Sequence, residues 1–310
     1  MADKIDIAIV GGGPAGLTAA IYGARGRAQT VVFETGLTGG QITSASWVEN
    51  YPGFPDGITG FDLAELMLKQ AEVAGAEFRT LSPVEAIRPD GCDFVLTVNG
   101  EKVEASTVIL ATGAIPKKLG IPGEAEFTGR GVSWCATCDG PLYRDKSVAV
   151  IGGGDSATQE ALYLAKLATE VHLIHRRDAF RATPCLAEQC FFNPKIIMHL
   201  SVVIDEIVGE EGKLTGVRLR SKEDGREEIV PVDGVFEFVG IDAQSALVAD
   251  LCELDALGFV KVDHNGLTSH TGLYAAGDVS DTGLKQVVTA CSRGATSVHH
   301  ALNYLETRVC

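Results

Sequence analysis

Two cysteines separated by two residues, Cys135 and Cys138, have the spacing of a redox-active pair. Such a pair can close a small disulfide, and a thiolate with a lowered pKa can attack a partner disulfide through a mixed-disulfide intermediate. Asp139 follows directly and is the nearest group in the sequence that could handle a proton. For acid or base work on a departing thiolate, burial would have to raise the pKa of this carboxyl. The pattern predicts a catalytic dithiol with Asp139 as its proton-handling group.

Zinc binding and a purely structural role are the alternatives for this pair. A zinc site needs two further ligands at suitable spacing, and no second CxxC or nearby Cys/His pair supplies them, so we predict no metal. The spacing alone also allows a structural CxxC, which the acidic neighbour and the position between two nucleotide-binding turns disfavour. We expect most of the remaining cysteines to be reduced packing residues, and the last residue, Cys310, could be an exposed reactive thiol.

Two glycine-rich turns flank the cysteine pair, at residues 11–16 and 152–157. Each turn follows a short apolar run, at residues 5–10 or 147–151, and opens a segment rich in Ala and Leu with helical spacing. This order is typical of a βαβ unit, in which a backbone without side chains approaches a pyrophosphate at a helix N-terminus. One copy of such a turn is a weak signal, but two copies that each follow a strand predict two dinucleotide sites.

The residues that follow the second strand of each unit differ in charge. Glu34 lies 23 positions after Gly11, where a carboxylate can accept hydrogen bonds from ribose hydroxyls. The same offset from Gly152 leads to His175, which is followed by three arginines at positions 176, 177 and 181. An arginine cluster alone is usually a solvated face, but its register with the second turn suits a 2′-phosphate. The second site is therefore predicted to prefer NADPH over NADH.

The length and composition predict a globular protein of two domains, since 45% of the 310 residues are hydrophobic and 22% are charged. Linker-like sequences on either side make the middle of the chain look inserted. We predict an α/β fold of two Rossmann-like nucleotide-binding domains, with the second inserted into the first. The first domain comprises residues 1–117 and 242–310, and the second comprises residues 118–241. Residues 272–278 predict a short buried strand and a Gly-Asp turn that returns to the first nucleotide.

The charge and hydropathy exclude two classes of partner. The net charge is −15 and the pI is near 4.9, whereas nucleic-acid binders usually have a basic face. No apolar run reaches the length of a bilayer span, and residues 1–4 lead into a strand instead of a signal-peptide core. We therefore expect no nucleic-acid or membrane partner and a cytoplasmic location.

Several motifs together resemble one family, the low-molecular-weight, bacterial-type thioredoxin reductases. The resemblance covers nearly the whole chain and includes the cysteine motif at residues 135–140, the arginine block at 175–181 and the Gly-Asp-Val at 277–279. The loop at residues 49–54 and the Ala-Thr-Gly at 111–113 add to it. The resemblance implies FAD in the first domain and NADPH in the second, and it implies a homodimer.

The resemblance also implies the residues that contact each cofactor. The expected FAD contacts are Gly11, Gly13, Pro14, Ala15, Gly16, Glu34, Gln41, Asn50, Thr112, Gly113, Gly277, Asp278, Lys285, Gln286 and Val287. The expected NADPH contacts are Gly152, Gly154, Asp155, Ser156, Glu160, His175, Arg176, Arg177 and Arg181.

In the family that this chain resembles, a hydride passes from NADPH to FAD, electrons pass to the CxxC disulfide, and the dithiol reduces thioredoxin. By that resemblance, Cys138 lies next to the flavin and Cys135 engages thioredoxin. The dithiol and the nicotinamide cannot occupy one flavin face together, so we expect the domains to rotate about hinges near residues 115–121 and 239–245.

The sequence departs from the family pattern at three places. Lys285 stands where an arginine is usual, residues 242–245 replace a Pro-Asn pair, and Ser292-Arg293 brings a cation toward the expected flavin edge. The guanidinium of an arginine has a planar fork that the ammonium of Lys285 does not reproduce. These departures could shift the flavin potential or the domain preference, whereas the overall reaction need not change.

Three rival functions are open to a chain with these motifs. An enzyme of this fold could serve another thiol carrier or a peroxidase module, or take electrons from ferredoxin, against which the arginine cluster argues. The chain could also be a flavin-bound redox sensor whose cysteines switch a binding surface. A small-molecule dithiol oxidase is the third function, and it is expected to lack the second nucleotide site, which looks intact here.

Overall fold

The structure is a computed structural model that describes residues 4–45, 47–281 and 283–308. It divides the chain into two compact units, Met1–Ile115 with Asp242–Cys310 (unit 1) and Pro116–Ile241 (unit 2). The sequence predicts domain boundaries after residues 117 and 241, and the boundaries between the two compact units lie after residues 115 and 241. Cys310 lies outside the described residues, so its predicted reactivity stays a prediction.

Unit 1 begins with the predicted strand, turn and helix and continues as a sheet. Its first elements are β1 (Ile5–Val10), α1 (Pro14–Arg25), β2 (Thr30–Phe33), α2 (Gly60–Ala74), β3 (Glu77–Arg79), β4 (Val84–Asp90), β5 (Asp93–Val98) and β6 (Glu101–Leu110). Strand β7 (Ala114–Pro116) then leads across the boundary between the units.

Unit 2 contains the cysteine motif and the second glycine-rich turn. Its elements are α3 (Glu124–Phe127), β8 (Val132–Ser133), α4 (Ala136–Asp139), β9 (Ser147–Ile151), α5 (Asp155–Leu164), β10 (Glu170–His175), α6 (Pro184–Phe192), β11 (Ile196–Leu200), β12 (Val202–Glu210), β13 (Lys213–Ser221), β14 (Glu227–Pro231) and β15 (Gly234–Glu237). Strands β11, β10, β9, β15 and β8 form a parallel sheet in that order, and β12, β13 and β14 form an antiparallel sheet.

The chain returns to unit 1 through β16 (Ile241–Ala243), and it ends with β17 (Leu273–Ala275) and α7 (Val287–Thr307). The predicted strand at 272–278 is thus confirmed, and a 3-10 turn follows it at Gly277–Val279. The unit 1 sheet has the strand order β3-β2-β1-β6-β5-β4, with β17 also paired to β6. Strands β3, β2, β1, β6 and β17 are parallel, whereas β4 and β5 join by antiparallel pairing.

The parallel strands of both units are buried on both faces, which explains why their sequences are continuous apolar runs instead of alternating patterns. In unit 1, Val10 pairs with Phe33 and with Leu110, so the carboxyl ends of β1, β2 and β6 lie at one edge of the sheet. In unit 2, Ile151 pairs with Ile174 and Glu237, which places the ends of β9, β10 and β15 together. Ligands of open α/β sheets bind at such edges.

The α/β fold with parallel sheets that the sequence predicts is confirmed. Helices α1 and α7 pack on the unit 1 sheet through small residues, including Ala15 and Ala290, in one apolar cluster. Helix α5 packs on the unit 2 sheet in the same manner through Ala157 and Ala161. Within the part of the chain that the structure describes, no helix is long and apolar enough to cross a bilayer.

Candidate active site

Cys135 and Cys138 are joined by a disulfide at the start of the short helix α4. The backbone N–H of Cys138 donates to the Cys135 sulfur at 3.2 Å, and the N–H of Cys135 donates to the Ser133 hydroxyl at 3.1 Å. Cys135 is half-buried, whereas Cys138 is exposed. Because the turn points an N–H at the Cys135 sulfur, it would also stabilise a thiolate there after reduction.

Asp139 is half-buried directly after this turn. Burial raises the pKa of its carboxyl, and a hydrogen bond with Ser133 opposes that rise. Burial raises the pKa of Tyr143 to about 12, and the charges of Asp139 and Asp233 add to this effect. Tyr143 therefore lies close to Asp139. The raised pKa that a proton-handling Asp139 requires is therefore present.

The first glycine-rich turn leads from β1 into α1 and leaves room for a ligand only on its outer side. Gly11 has a φ of +107°, and a Cβ atom there would overlap the carbonyl of Ala111. A Cβ on Gly16 would overlap the Gly11 carbonyl, whereas one on Gly13 would meet nothing closer than the Gly40 Cα at 3.9 Å. The turn is thus closed toward the protein and open at the N-terminus of α1, which fits a pyrophosphate.

Glu34 is held against this turn at the end of β2. Its carboxylate accepts hydrogen bonds from the N–H groups of Gly12 at 2.7 Å and Gly36 at 2.9 Å. A carboxylate has about four acceptor positions, so two remain for ribose hydroxyls. The structure therefore brings Glu34 to the position that the offset from Gly11 predicts.

Distant loops of unit 1 meet beside the same turn. The amide of Asn50 donates to Gln286 at 3.1 Å, and Gln286 caps the N-terminus of α7 directly before Val287. Gly277 approaches the first turn so closely that its Cβ would lie 2.9 Å from that of Ala15. The predicted FAD residues at the N-terminal end, at 50 and at 277–287 thus belong to one region of unit 1.

Lys285 has contacts of its own within this region. Its ammonium donates to the carbonyl of Asp278 at 2.9 Å and lies 4.0 Å from the ring centroid of Phe259. Burial lowers the pKa of Lys285, and burial raises the pKa of the Asp278 carboxyl, which the charge of Lys285 counteracts. The ammonium of Lys285 thus holds the Gly-Asp turn through a backbone carbonyl, a contact that does not require the planar guanidinium of an arginine.

The segment after β6 is fixed by side-chain to backbone bonds. The Thr112 hydroxyl donates to the carbonyl of Gln244 at 2.6 Å, and the N–H of Gln244 donates to the carbonyl of Gly113. The amide of Gln41 donates to the carbonyl of Ala114. Gln41, Thr112 and Gly113 therefore lie together, and Gln244, which departs from the family pattern, braces them.

The second glycine-rich turn leads from β9 into α5. A Cβ on Gly152 would lie 2.6 Å from the carbonyl oxygen of Phe238, whereas one on Gly154 would meet nothing within 4 Å. Asp155 opens the helix, and its carboxylate accepts from the N–H of Thr183 at 2.6 Å, beside the exposed Ser156. This turn is also closed inward and open outward, as a dinucleotide requires.

The predicted arginine cluster folds back onto this turn. The N–H of Arg181 donates to the carbonyl of Gly153, and Arg176, Arg177 and Arg181 are all exposed. Burial and then the charges of Arg181, Arg177 and Arg176 lower the pKa of His175, so all three guanidinium groups lie near enough to act on this ring. A group with the charge of a phosphate would be attracted to this cluster.

Two buried polar atoms of unit 2 have no hydrogen-bond partner among the described residues, the Glu160 Oε2 and the His175 Nε2. Burial raises the pKa of Glu160, which lies on α5. The His175 ring stacks on Phe180 with 5.6 Å between centroids, and it packs beneath Gly153. Buried polar atoms normally have partners, so both fit a polar ligand at this site.

Three contributing residues were not among the site residues expected from the sequence. Lys222 donates from its ammonium to the carbonyl of Arg176 at 3.2 Å and adds a fourth cation beside the arginine cluster. Thr183 holds Asp155, and Gln244 holds Thr112. No binding motif marks these three residues, since each contact joins a side chain to a backbone atom. Among the described residues, no group of three or more His, Cys, Asp or Glu side chains could hold a metal ion.

Two dinucleotide-binding turns and a redox disulfide on α/β units define a pyridine-nucleotide-dependent disulfide oxidoreductase with a second nucleotide cofactor. The profile of the family "Pyridine nucleotide-disulphide oxidoreductase" matches residues 5–294. The thioredoxin reductases of Helicobacter pylori and Treponema pallidum are each 42% identical to this chain, over 97% and 99% of it and over 99% of each relative.

Solved structures give the same result. The thioredoxin reductase of Streptococcus pyogenes has a TM-score of 0.94 at 38% identity, and that of Giardia duodenalis has a TM-score of 0.93 at 35% identity. Both alignments cover 98% of this chain and 99% of the compared chain. The chain therefore belongs to the pyridine nucleotide-disulphide oxidoreductase family, among the thioredoxin reductases, which are FAD-dependent flavoproteins that use NADPH.

Proposed function

We propose that this chain is a thioredoxin-disulfide reductase in which unit 1 binds FAD and unit 2 binds NADPH and carries the reactive dithiol. The observation that supports it most strongly is the Cys135–Cys138 disulfide in the same unit as a nucleotide turn lined by arginines. When bound, NADPH would supply a hydride, and FAD would supply the relay of the electron pair to the disulfide. Thioredoxin is the acceptor because relatives of this similarity are thioredoxin reductases.

The nucleotide-binding residues orient the cofactors. The open sides of the two glycine-rich turns receive the pyrophosphates, and Glu34 accepts from ribose hydroxyls in unit 1. In unit 2, Arg176, Arg177 and Arg181 would hold the 2′-phosphate, and the half-buried Glu160, whose Oε2 is buried, would act on the nicotinamide side.

The dithiol performs the exchange with thioredoxin. The Cys135 thiolate, stabilised by the N–H of Cys138, attacks one sulfur of the thioredoxin disulfide. The S–S bond of thioredoxin breaks, a mixed disulfide forms, and the departing thiolate takes a proton for which Asp139 is the nearest donor with a raised pKa. Cys138 then attacks Cys135, which re-forms the Cys135–Cys138 disulfide and releases reduced thioredoxin.

Two expectations from the resemblance stay predictions. One is the homodimer. The second is the pair of hinges near residues 115–121 and 239–245, which an enzyme needs if one unit must present its dithiol and its nicotinamide in turn.

An anaerobic absorbance titration tests the proposed function. NADPH is expected to bleach the flavin of the holoenzyme rapidly and NADH only at far higher concentration, and oxidised thioredoxin should restore the absorbance. Bleaching that thioredoxin does not reverse would move the acceptor to another thiol carrier. If neither nucleotide bleached the flavin, the assignment of NADPH to unit 2 would be wrong.

Replacing Gly16 by alanine is expected to weaken FAD binding by roughly 5- to 150-fold, since overpacking of this kind costs about 1–3 kcal/mol and the overlapped atom is a backbone carbonyl that cannot move aside. The absorbance ratio of flavin to protein after gel filtration, and the fluorescence of released flavin, measure this. Gly36→Ala is the matched control, because a Cβ there meets nothing within 4 Å and the N–H to Glu34 is kept. Equal FAD retention in both variants would contradict the assignment.

A further inference from the structure

A pair of buried carboxyl groups adjoins the residue that precedes Cys135. Glu124 and Glu237 are 3% and 2% exposed, and the indole N–H of Trp134 donates to the Glu237 Oε2 at 3.1 Å. The second oxygen of Glu237 is buried and has no protein donor among the described residues, and its carboxyl is linked by a hydrogen bond to Glu124. Two carboxyl groups in such contact must share a proton.

The neighbours of the pair decide which residue carries that proton. Glu124 accepts hydrogen bonds from three backbone N–H groups, those of Leu119 at 3.2 Å, Gly120 at 2.6 Å and Ile121 at 3.3 Å. A carboxyl group that is fixed by three donors is an acceptor, so the O–H belongs to Glu237. Glu237 then donates to Glu124 and accepts from Trp134 at the same time.

The position of Glu237 in the sheet connects this pair to the reactive turn. Strand β15 pairs with β8 through Val235–Val132 and Phe236–Ser133, so Glu237 and Trp134 are the next residues along the two strands. On its opposite side, Glu237 pairs with Ile151, the last residue before the second glycine-rich turn. Glu237 thus lies at the carboxyl end of β15, between β8, which leads to the dithiol, and β9, which leads to the second glycine-rich turn.

We propose that Glu237 is a positioning residue for the dithiol: its protonated carboxyl bridges Trp134 to Glu124 and so ties the Cys135–Cys138 turn to residues 119–121. The role at the dithiol rests on the proposed function, whereas the bridge itself concerns only unit 2. The bridge requires a donor on Glu237, because Glu124 offers only acceptors to it. Loss of the proton breaks the bond to Glu124, while the carboxylate still accepts from Trp134, so the start of the reactive turn is no longer tied to residues 119–121.

The charges around Glu237 set the pH at which the bridge opens. Burial, together with Glu124 on α3, raises the pKa of Glu237 to about 8, and the Trp134 bond and the charge of Lys118 oppose this. Lys118, from the segment before α3, has its ammonium 5.9 Å from the Trp134 ring centroid. The residue paired with Glu237 on β9 is Ile151, which carries no charge. The bridge is accordingly closed at neutral pH and opens through the range around pH 8.

The first readout is the indole N–H resonance of Trp134 in the holoenzyme. The chain has two tryptophans, so Trp47→Phe assigns the signal. In the wild type this resonance is expected to move with one midpoint near pH 8. Glu237→Gln keeps a neutral donor and acceptor of the same shape, so its Trp134 signal should show no midpoint between pH 6 and 10. Glu126→Gln, an exposed neighbour on α3, should titrate like the wild type.

The second readout is the pH profile of thioredoxin reduction. At pH 9 the wild type is expected to be roughly three- to tenfold slower than Glu237→Gln while the two are equal at pH 7, since a loosened turn misplaces the reacting sulfur. Trp134→Phe, which removes the indole donor, should be slowed at both pH values. Failure of the proposed acceptor would abolish this readout in all variants, but it would leave the indole titration unchanged.

A Trp134 signal without a midpoint in the wild type, or with the same midpoint in Glu237→Gln, would overturn the bridge. A midpoint that is present without any difference between the two pH profiles would overturn the positioning role. The Gln variant is isosteric and neutral, so we expect it to fold, and a normal flavin spectrum checks this.

Discussion

Cys135→Ser and Cys138→Ser are each expected to lower thioredoxin reduction by roughly a thousandfold or more, since neither serine can form or resolve a disulfide. NADPH should still bleach the flavin in both variants, because hydride transfer from NADPH to the flavin comes before the dithiol step in the proposed order. Stopped-flow absorbance separates the two half-reactions. Loss of flavin bleaching in both variants would contradict the order in which NADPH acts before the dithiol.

The same two variants test which sulfur meets thioredoxin. The probe is a thioredoxin with one cysteine that is activated as a mixed disulfide with thionitrobenzoate. Cys138→Ser should release thionitrobenzoate and retain the thioredoxin covalently, because the N–H of residue 138 still stabilises the Cys135 thiolate. Cys135→Ser should react far more slowly. The reverse order would exchange the roles of the two cysteines, and Cys185→Ser, at an exposed cysteine of the same unit, is the control.

The fold of this chain could be predicted in detail where the signal is local. A continuous apolar run followed by glycines and a helical segment predicts strand, turn and helix at residues 5–25 and 147–164, and both are confirmed. The glycines are informative because their positions cannot carry a side chain, as the overlap of a Gly16 Cβ with the Gly11 carbonyl demonstrates. Residues of this kind report on backbone geometry before any tertiary contact is known.

The parts that could not be predicted depend on contacts between distant residues. Trp134 and Glu237 are 103 positions apart, and Asn50 and Gln286 are 236 apart. The burial that raises the pKa of Asp139 and Glu237 is likewise a property of the assembled sheet. Glu237 ends a buried apolar strand, and periodicity alone gives no reason for a carboxyl there. Such a violation of the local pattern is expected at a functional site.

Replacing both Arg176 and Arg177 by alanine is expected to raise the KM for NADPH by about 100-fold, since a hydrogen bond to a charged group contributes roughly 1.5–3 kcal/mol. The KM for NADH should change little, because NADH lacks the 2′-phosphate that these exposed guanidinium groups would bind. Initial rates with each nucleotide, with thioredoxin in excess, measure the ratio. Equal losses for NADH and NADPH would mean that the cluster supports the fold of the turn and does not select the nucleotide.

The matched control for this prediction is Arg226→Ala, at an exposed arginine of unit 2 that pairs with Asp224. Its removal changes the net charge in the same direction without touching the second turn, so both KM values should stay within about twofold, as screened surface charges have small effects. We expect the double variant to fold, because the backbone carbonyls of Arg176 and Arg177 hold the loop after β10. They accept hydrogen bonds from the Lys222 ammonium and the Ser201 N–H, and alanine keeps both carbonyls. Selectivity for NADPH can therefore be removed while the turn that holds the pyrophosphate is kept.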